Sequence, residues 1–408
     1  MSLHKNQRGS HVVAIVLVIV VLAAIVGVGS RVMSKSKHNV QPGGGRQEVA
    51  SQSGGSLESW KNKCSGSGPV TMDNSPMKLS DVSYIVPTGL LAGAHVTPID
   101  HLYFYPKDMT NRDAAPVYAT HDGYIVDYEN RGSQLQNGKA ASGALRIVVQ
   151  YTCSFYSYYD LLTSLDPTIA GALEKGDKHY AIKAGQEIGR VGAQSLDTAV
   201  YNLDLTLPGF VKPDSYTAEP WKVHTDDYFK YFKDPVLSQM LALNPRKVAP
   251  YGGKIDYDVA GKLSGNWFLE GTNGYAGPTG SDRTVVDGSS KGYYGGHFSI
   301  APDAVDPAII NVSFGDYNGK ATQFTAKSPL PNPANVGTAD GIVKYDLVHY
   351  TQPSAQTKAG SLSYQTQPVE AVVLMQVLDG NKMKMEYFTG KTSADVSTFT
   401  SAAKTFTR

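Results

Sequence analysis

The chain has 408 residues, which is enough for two or three domains of ordinary size. Its 37 basic and 36 acidic residues balance, so no field of one sign favours nucleic acid or an anionic membrane surface as a partner. Gly, Pro and Tyr are plentiful and charged residues make up only 18%, a composition typical of short strands and turns rather than helical bundles.

A long uncharged hydrophobic run follows a short head of residues 1–11. At about 1.5 Å per residue, residues 12–33 are long enough to cross a hydrocarbon core of ~30 Å. A cleaved signal peptide is the competing interpretation, but its apolar region is usually shorter and ends in a small-residue cleavage site that is not evident here. We therefore predict an uncleaved transmembrane signal anchor and a single-pass protein of the cell membrane.

Basic residues flank the run on both sides, so the positive-inside rule does not decide its orientation. The head, residues 1–11, is short enough to remain on the cytoplasmic side of the membrane. Cys64 and Cys153, the only cysteines, are able to pair in an oxidising compartment, although two unrelated thiols are the alternative. Both points favour an extracytoplasmic location for the C-terminal bulk. Residues 34–59 are rich in Gly, Ser and Gln and are predicted to be a flexible linker.

The remainder of the chain is predicted to be mainly β. Residues 60–215 consist of short β segments separated by turns, and residues 216–260 form a connector that holds the one amphipathic helical stretch. Residues 261–408 contain six or more short strand patterns with almost no helix, which favours an antiparallel barrel or a sandwich.

Four motifs of the first β region occur in a recognisable order. They are His95-Val-Thr-Pro-Ile-Asp100 followed by His101, then Pro116 to Val126, then Tyr156-Ser-Tyr-Tyr-Asp160-Leu-Leu162, and finally Gly185-Gln-Glu-Ile-Gly189 followed by Asn202-Leu-Asp204. Together they resemble the lysostaphin-type zinc endopeptidases, which cut peptidoglycan cross-bridges. The resemblance covers about residues 65–210. It implies a lysostaphin-like β-sheet domain whose cleft faces cell-wall material.

This sequence departs from that family at the positions of the metal ligands. A catalytic zinc needs three protein ligands, which the family takes from His-x-x-x-Asp and from the second His of His-x-His. Here His95 and Asp100 are separated by one residue too many, the final motif is Asn202-Leu-Asp204, and Asp160 replaces the His of the family's Tyr-x-His-Leu motif. Neither Asn nor Asp supplies a base with a pKa near 7 without a large perturbation.

We therefore predict no catalytic residues, no cofactor and a degenerate cleft. Six residues are expected to line it: His95, Asp100, His101, Asp160, Asn202 and Asp204. The alternative is a divergent zinc metallopeptidase acting on peptidoglycan, in which His95, Asp100 and Asp204 converge on the metal.

The last region has one further motif. Gly265-Asn-Trp267 resembles the opening of lipocalin-like barrels, where the Trp plugs the barrel floor. A barrel of eight strands either holds one small ligand or is filled by its own side chains. The first possibility makes a carrier of a small apolar ligand a further alternative.

The main hypothesis is a non-catalytic, membrane-anchored, extracytoplasmic binding or scaffold protein of the cell envelope. Its expected partners are the membrane, through one helix, and either peptidoglycan or an envelope protein. No nucleic acid is expected.

Overall fold

A computed structural model describes residues 57–130, 145–283, 285, 288–352, 364–379 and 381–408. The predicted head, the predicted transmembrane segment and the predicted linker up to residue 56 lie outside these ranges, while residues 57–59 belong to a helix. No helix within the described ranges is both long and apolar enough to cross a membrane. All described residues belong to one unit, Gly54–Arg408.

Two sheets form the first part of the structure. Their strands are β1 (Val82–Val86), β2 (Leu102–Pro106), β3 (Ala115–Tyr118), β4 (Gly123–Asn130), β5 (Leu145–Gln150), β6 (Phe155–Leu162), β7 (Ser164–Leu165), β8 (Tyr180–Ile182), β9 (Glu187–Val191) and β10 (Leu196–Asn202). The larger sheet has seven antiparallel strands in the order β1-β2-β10-β6-β5-β4-β8, and the smaller has the order β3-β9-β7.

The alternation of side chains along β6 explains how the larger sheet is packed. Phe155 and Tyr159 point into the main hydrophobic core, which lies between the sheet and the connecting helices. Tyr156 and Tyr158 point to the opposite face. Because successive strand residues face opposite sides, one run of aromatics builds both faces.

The second part is a closed antiparallel barrel, which confirms the predicted mainly β fold with an eight-stranded barrel. Its strands are β11 (Gly265–Leu269), β12 (His297–Pro302), β13 (Ile310–Tyr317), β14 (Lys320–Ala326), β15 (Val343–His349), β16 (Ala371–Asp379), β17 (Lys382–Thr389) and β18 (Lys404–Thr407). Pairing of β11 with β18 closes the barrel and leaves no strand edge exposed.

Inward-pointing apolar side chains fill most of the barrel. On β16 these are every second residue, from Ala371 to Val377. Trp267 is fully buried, and its indole N–H donates to the carbonyl of Leu263 at 2.9 Å. The guanidinium of Arg408 lies 3.9 Å from the Trp267 ring centroid and donates to the carbonyls of Val259, Lys262 and Ser264.

Helices are short within the described ranges. The α-helices are α1 (Leu57–Trp60), α2 (Pro167–Glu174) and α3 (Val236–Leu243). The 3₁₀ helices are Leu79–Asp81, Pro213–Tyr216, Pro220–His224, Tyr228–Tyr231, Gly274–Ala276, Tyr293–Gly296, Thr338–Asp340 and Tyr364–Thr366. The helix Pro220–His224 matters most for the site, because it carries Trp221 and Lys222 onto the larger sheet.

Candidate functional site

The register of three neighbouring strands brings the polar residues of the site together. Asp197 on β10 is paired with Asp160 on β6 and with Tyr103 on β2. Residues 197, 199 and 201 of β10 all point to the face that carries Tyr156 and Tyr158. We call this side of the larger sheet the cleft face.

Asp100 sits at the centre of a buried hydrogen-bond network. Its Oδ1 accepts from the ammonium of Lys222 at 2.9 Å, and its Oδ2 accepts from the hydroxyl of Tyr201 at 3.2 Å. The Nδ1 atom of His101 lies 3.4 Å from Oδ1. Burial alone would raise the pKa of Asp100, but Lys222 and His101 outweigh it and hold that pKa well below its usual range. Asp100 is therefore an ionised carboxylate with a fixed cation beside it.

Lys222 links this carboxylate to the barrel. Its ammonium lies 3.7 Å from Oε2 of Glu219, and Oε1 of Glu219 accepts from Arg283 at 2.7 Å. The same ammonium is 5.0 Å from the ring centroid of Tyr275, which belongs to the loop after β11. Although burial opposes it, the negative charge of Asp100 raises the pKa of Lys222, so the lysine stays charged.

A second ion pair surrounds Asp160. Arg146 on β5 lies 3.2 Å from Oδ2 of Asp160 and donates to the hydroxyl of Tyr158 at 2.8 Å. Tyr158 donates in turn to Oδ2 of Asp160, and the backbone N–H of Leu161 donates to Oδ1 at 2.7 Å. The carboxylate of Asp160 is thus paired with an arginine and is not positioned as a free base.

His101 lies between two carboxylates. Its Nδ1 faces Asp100, as above, and its Nε2 lies 3.5 Å from Oδ2 of Asp197. The ring is 7% exposed, and Nε2 makes no hydrogen bond within the described ranges. The hydroxyl of Ser195 donates to the other oxygen of Asp197 at 2.9 Å.

His95 lies at the rim of the cleft face. It is exposed, in a tight turn closed by two backbone hydrogen bonds with Ala92, and its ring centroid is 5.7 Å from that of His101. The turn is held against barrel strand β14, because Gly93 exchanges two hydrogen bonds with the side chain of Gln323.

Asn202 and Asp204 do not join this cluster, contrary to the expectation from sequence. Asn202 follows Leu196 and Val200 in the alternation of β10, so it faces the main core, where Tyr231 is its neighbour. Asp204 lies beyond the strand, is exposed, and accepts from the hydroxyl of Ser154 at 2.7 Å.

These positions do not fit a zinc ion. Of the three candidate ligands, Asp100 accepts a hydrogen bond from Lys222 and Asp204 accepts one from Ser154. His95 lies at the rim of the cleft face. Nowhere in the described part of the chain do three His, Cys, Asp or Glu side chains come close enough to share a metal. A catalytic zinc needs three such ligands, so the three candidate side chains do not form a zinc site.

Trp60 covers one end of the cleft face. Its ring lies 5.4 Å from that of Trp221 and 6.1 Å from that of Tyr201. Its indole N–H donates to Asp127 at 3.2 Å. A disulfide joins Cys64 to Cys153, with Cα atoms 5.0 Å apart, and so fastens the segment after α1 beside β6.

Two cavities lie away from this cluster. One of about 250 Å³ lies in the barrel, and its apolar lining includes Leu269, Phe314, Met385 and Phe406. The other, of about 770 Å³, is an open depression between α3 and loop 74–80. Neither is lined by a cleft-face residue predicted from the sequence.

Comparison with known proteins gives only distant similarities. No protein-family profile matches the chain, and no curated protein matches its sequence. Among solved structures, a zinc-containing peptidase from Vibrio cholerae is 18% identical over 33% of this chain and 37% of that chain, with a TM-score of 0.24. Csd3 from Helicobacter pylori is 17% identical over 33% of this chain and 32% of that chain, with a TM-score of 0.22.

The solution structure of lysostaphin is also similar, at 14% identity over 63% of this chain and 94% of that chain, with a TM-score of 0.24. This chain thus covers between 32% and 37% of the length of the first two structures. TM-scores this low support no inference about function, which has to come from the chain's own residues.

Sequence reasoning did not find Lys222, Arg146 or Asp197. Lys222 lies in no motif, Arg146 opens a strand motif without having been assigned a role, and each meets its carboxylate only through the fold. Asp197 could have been identified from the sequence, because a strand that includes Tyr201 places residues 197, 199 and 201 on the same face of the sheet.

Proposed function

We propose that this protein is a membrane-anchored, extracytoplasmic binding or scaffold protein of the cell envelope, built on a lysostaphin-like domain without catalytic zinc chemistry. Peptidoglycan or an envelope protein is its partner.

The contact between Lys222 and Asp100 carries this proposal. A zinc ligand has to offer its lone pairs to the metal, but Oδ1 of Asp100 is already bonded to an ammonium at 2.9 Å. Both side chains are at least nine-tenths buried, so the lysine is held there by packing. The charge of Asp100 is therefore balanced by a lysine of the same chain and not by a metal ion.

Metal content is the first test. The full-length chain, purified in detergent, is exposed to zinc, desalted and analysed by mass spectrometry, beside the variant His95→Ala. The expected result is no retained zinc in either protein. About one zinc per chain, lost in His95→Ala, would support the metallopeptidase alternative and sink the proposal.

Binding is the second test. The same protein is sedimented with purified peptidoglycan sacculi, and the supernatant is analysed for released muropeptides. We expect the protein in the pellet and no released fragments. Release of fragments would identify an enzyme, and failure to sediment would leave an envelope protein as the partner to be sought by crosslinking in intact cells.

The barrel cavity favours a second candidate function, the carriage of a small apolar ligand. Its volume of about 250 Å³ and its lining by Leu269, Phe314 and Met385 suit a compact apolar molecule. Titration with the apolar dye N-phenyl-1-naphthylamine tests this. Leu269→Trp, which fills the cavity, should abolish dye binding, and Leu378→Trp, at an exposed site on β16, should not. Equal dye binding by both variants would exclude the cavity as the site.

A further inference from the structure

An unbroken row of aromatic rings crosses the cleft face. Neighbouring ring centroids are between 4.4 and 6.3 Å apart. In order along the row the rings are Tyr84, Tyr105, Tyr103, His101, Tyr158, Tyr201, Trp60 and Trp221. The row runs from the edge strand β1 to the helix Pro220–His224.

The two ends of the row differ in exposure. At one end Trp60 and Trp221 are buried against each other. At the other end Tyr84 and Tyr105 are only partly buried and stack in parallel, with centroids 4.4 Å apart and an interplanar angle of 7°. We call Tyr84, Tyr103 and Tyr105 the tyrosine platform.

Two buried polar atoms beside the platform have no hydrogen bond in the described part of the chain. One is Nε2 of His101, whose ring is 5.1 Å from that of Tyr103. The other is the hydroxyl of Tyr350, which comes from the barrel, is 8% exposed and interacts electrostatically with Tyr105. Buried polar groups are nearly always paired, so two such atoms beside one patch point to a ligand with hydroxyl or amide groups.

The charges near the platform decide which kind of ligand fits. The nearest cations of the cleft face, Lys222 and Arg146, are both held in ion pairs, while Asp197 keeps a carboxylate next to His101. A phosphorylated or carboxylated polymer would meet a carboxylate without a free cation to offset it. A neutral ligand that presents hydroxyl donors is favoured instead.

We propose that the tyrosine platform binds a neutral pyranose chain, as in the glycan strands of a cell wall, rather than the peptide stems. The apolar C–H face of a pyranose ring packs on an outer face of the Tyr84–Tyr105 stack, and its hydroxyl or acetamido groups satisfy His101 and Tyr350. This inference rests on the proposed function and names the ligand class of the same cleft.

Calorimetric titration of the full-length chain with the β-1,4-linked tetramer of N-acetylglucosamine tests the inference. We expect saturable binding that Tyr84→Ala and Tyr105→Ala each weaken by about tenfold, because a stacking face is lost. Tyr124→Ala is the matched control, since Tyr124 is also a partly exposed ring stacked on another ring, His179, on a strand far along the same sheet. No binding by the wild type, or equal binding by all variants, would overturn the inference.

Carbene footprinting of the wild type, with and without the tetramer, gives a readout that does not depend on the folding of a variant. Protection at Tyr84 and Tyr105 is expected, and protection confined to other sites overturns the inference. Sedimentation with sacculi separates the two proposals. Sacculus binding without tetramer binding would reject the sugar platform and keep the envelope function, whereas tetramer binding without sacculus binding would keep the sugar platform and reject peptidoglycan as the partner.

Discussion

The ammonium of Lys222 and the carboxylate of Asp100 form a buried ion pair, with Nζ and Oδ1 2.9 Å apart. The two residues are 122 positions apart in the chain, and only the packing of the helix Pro220–His224 onto the larger sheet brings them together. Burying both charges is costly, and the hydroxyl of Tyr201 with the ring of His101 helps to offset that cost.

Removing one partner of this pair should destabilise the protein strongly. Lys222→Met is expected to lower the free energy of unfolding by about 3–5 kcal/mol, because Asp100 is left buried without its cation. The double variant Lys222→Met, Asp100→Leu should recover most of the loss. Urea denaturation measures both. Lys183→Met, which breaks an exposed pair with Asp122, is the control and should change little.

The stability of the protein should fall with acidity through His297. Burial lowers the pKa of His297 from 6.5 to about 3, and its hydrogen bond with the carbonyl of Tyr275 opposes this only in part. The unfolded chain takes up this proton below pH 6.5 but the folded chain does not. The free energy of unfolding should therefore decrease by about 1.4 kcal/mol per pH unit between pH 6.5 and about 3 through this residue.

Thermal unfolding at several pH values checks this prediction. His297→Gln keeps a donor for the carbonyl of Tyr275 and should show a shallower dependence on pH over that window. His349→Gln, at an exposed histidine of the same barrel, should behave like the wild type. Parallel curves for wild type and His297→Gln would contradict the prediction.

Reduction of the disulfide between Cys64 and Cys153 should lower the free energy of unfolding. The bond between Cys64 and Cys153 closes a loop with a sequence separation of 89, for which chain entropy predicts a loss of about 4 kcal/mol in unfolding free energy on reduction. Denaturation with and without reductant measures it, and the double variant Cys64→Ser, Cys153→Ser should not respond to reductant because the chain has no other cysteine. A wild type as stable reduced as oxidised would refute this.

Arg408 should stabilise the part of the barrel that contains Trp267. Its guanidinium stacks on Trp267 while donating to four carbonyls, those of Val259, Lys262, Ser264 and Asn266, a combination that a lysine ammonium cannot reproduce. Arg408→Lys is expected to lower the unfolding free energy by about 2 kcal/mol, since buried carbonyls lose their donors. Trp267 fluorescence during denaturation follows the effect. The rim variant Lys382→Arg should leave the midpoint unchanged, and a similar small effect in both variants would argue against the role of Arg408.

The strand pattern of the barrel was predictable because it depends on local information. β16 is an apolar run broken only by Gln376, and it ends at Asp379, which precedes the turn into β17. Apolar runs bounded by turn residues are properties of neighbouring positions, so they can be identified without knowing the fold.

The candidate cleft was predicted only in part, for a related reason. The structure places His95, Asp100 and His101, which precede β2, near Asp160 of β6. Asn202 was misplaced because a shift of one residue along a strand reverses the face.

The sequence by itself determined the mainly β character, the strand-rich C-terminal region and the presence of Asp100 and Asp160 among the candidate site residues. Only the tertiary structure decided what those carboxylates do. Lys222 reaches Asp100 across 122 positions of the chain, and Arg146 reaches Asp160 across the pairing of β5 with β6. Whether an ionisable side chain acts as a metal ligand, a base or half of an ion pair depends on its neighbours in the folded structure, because those neighbours set the electric field at the side chain.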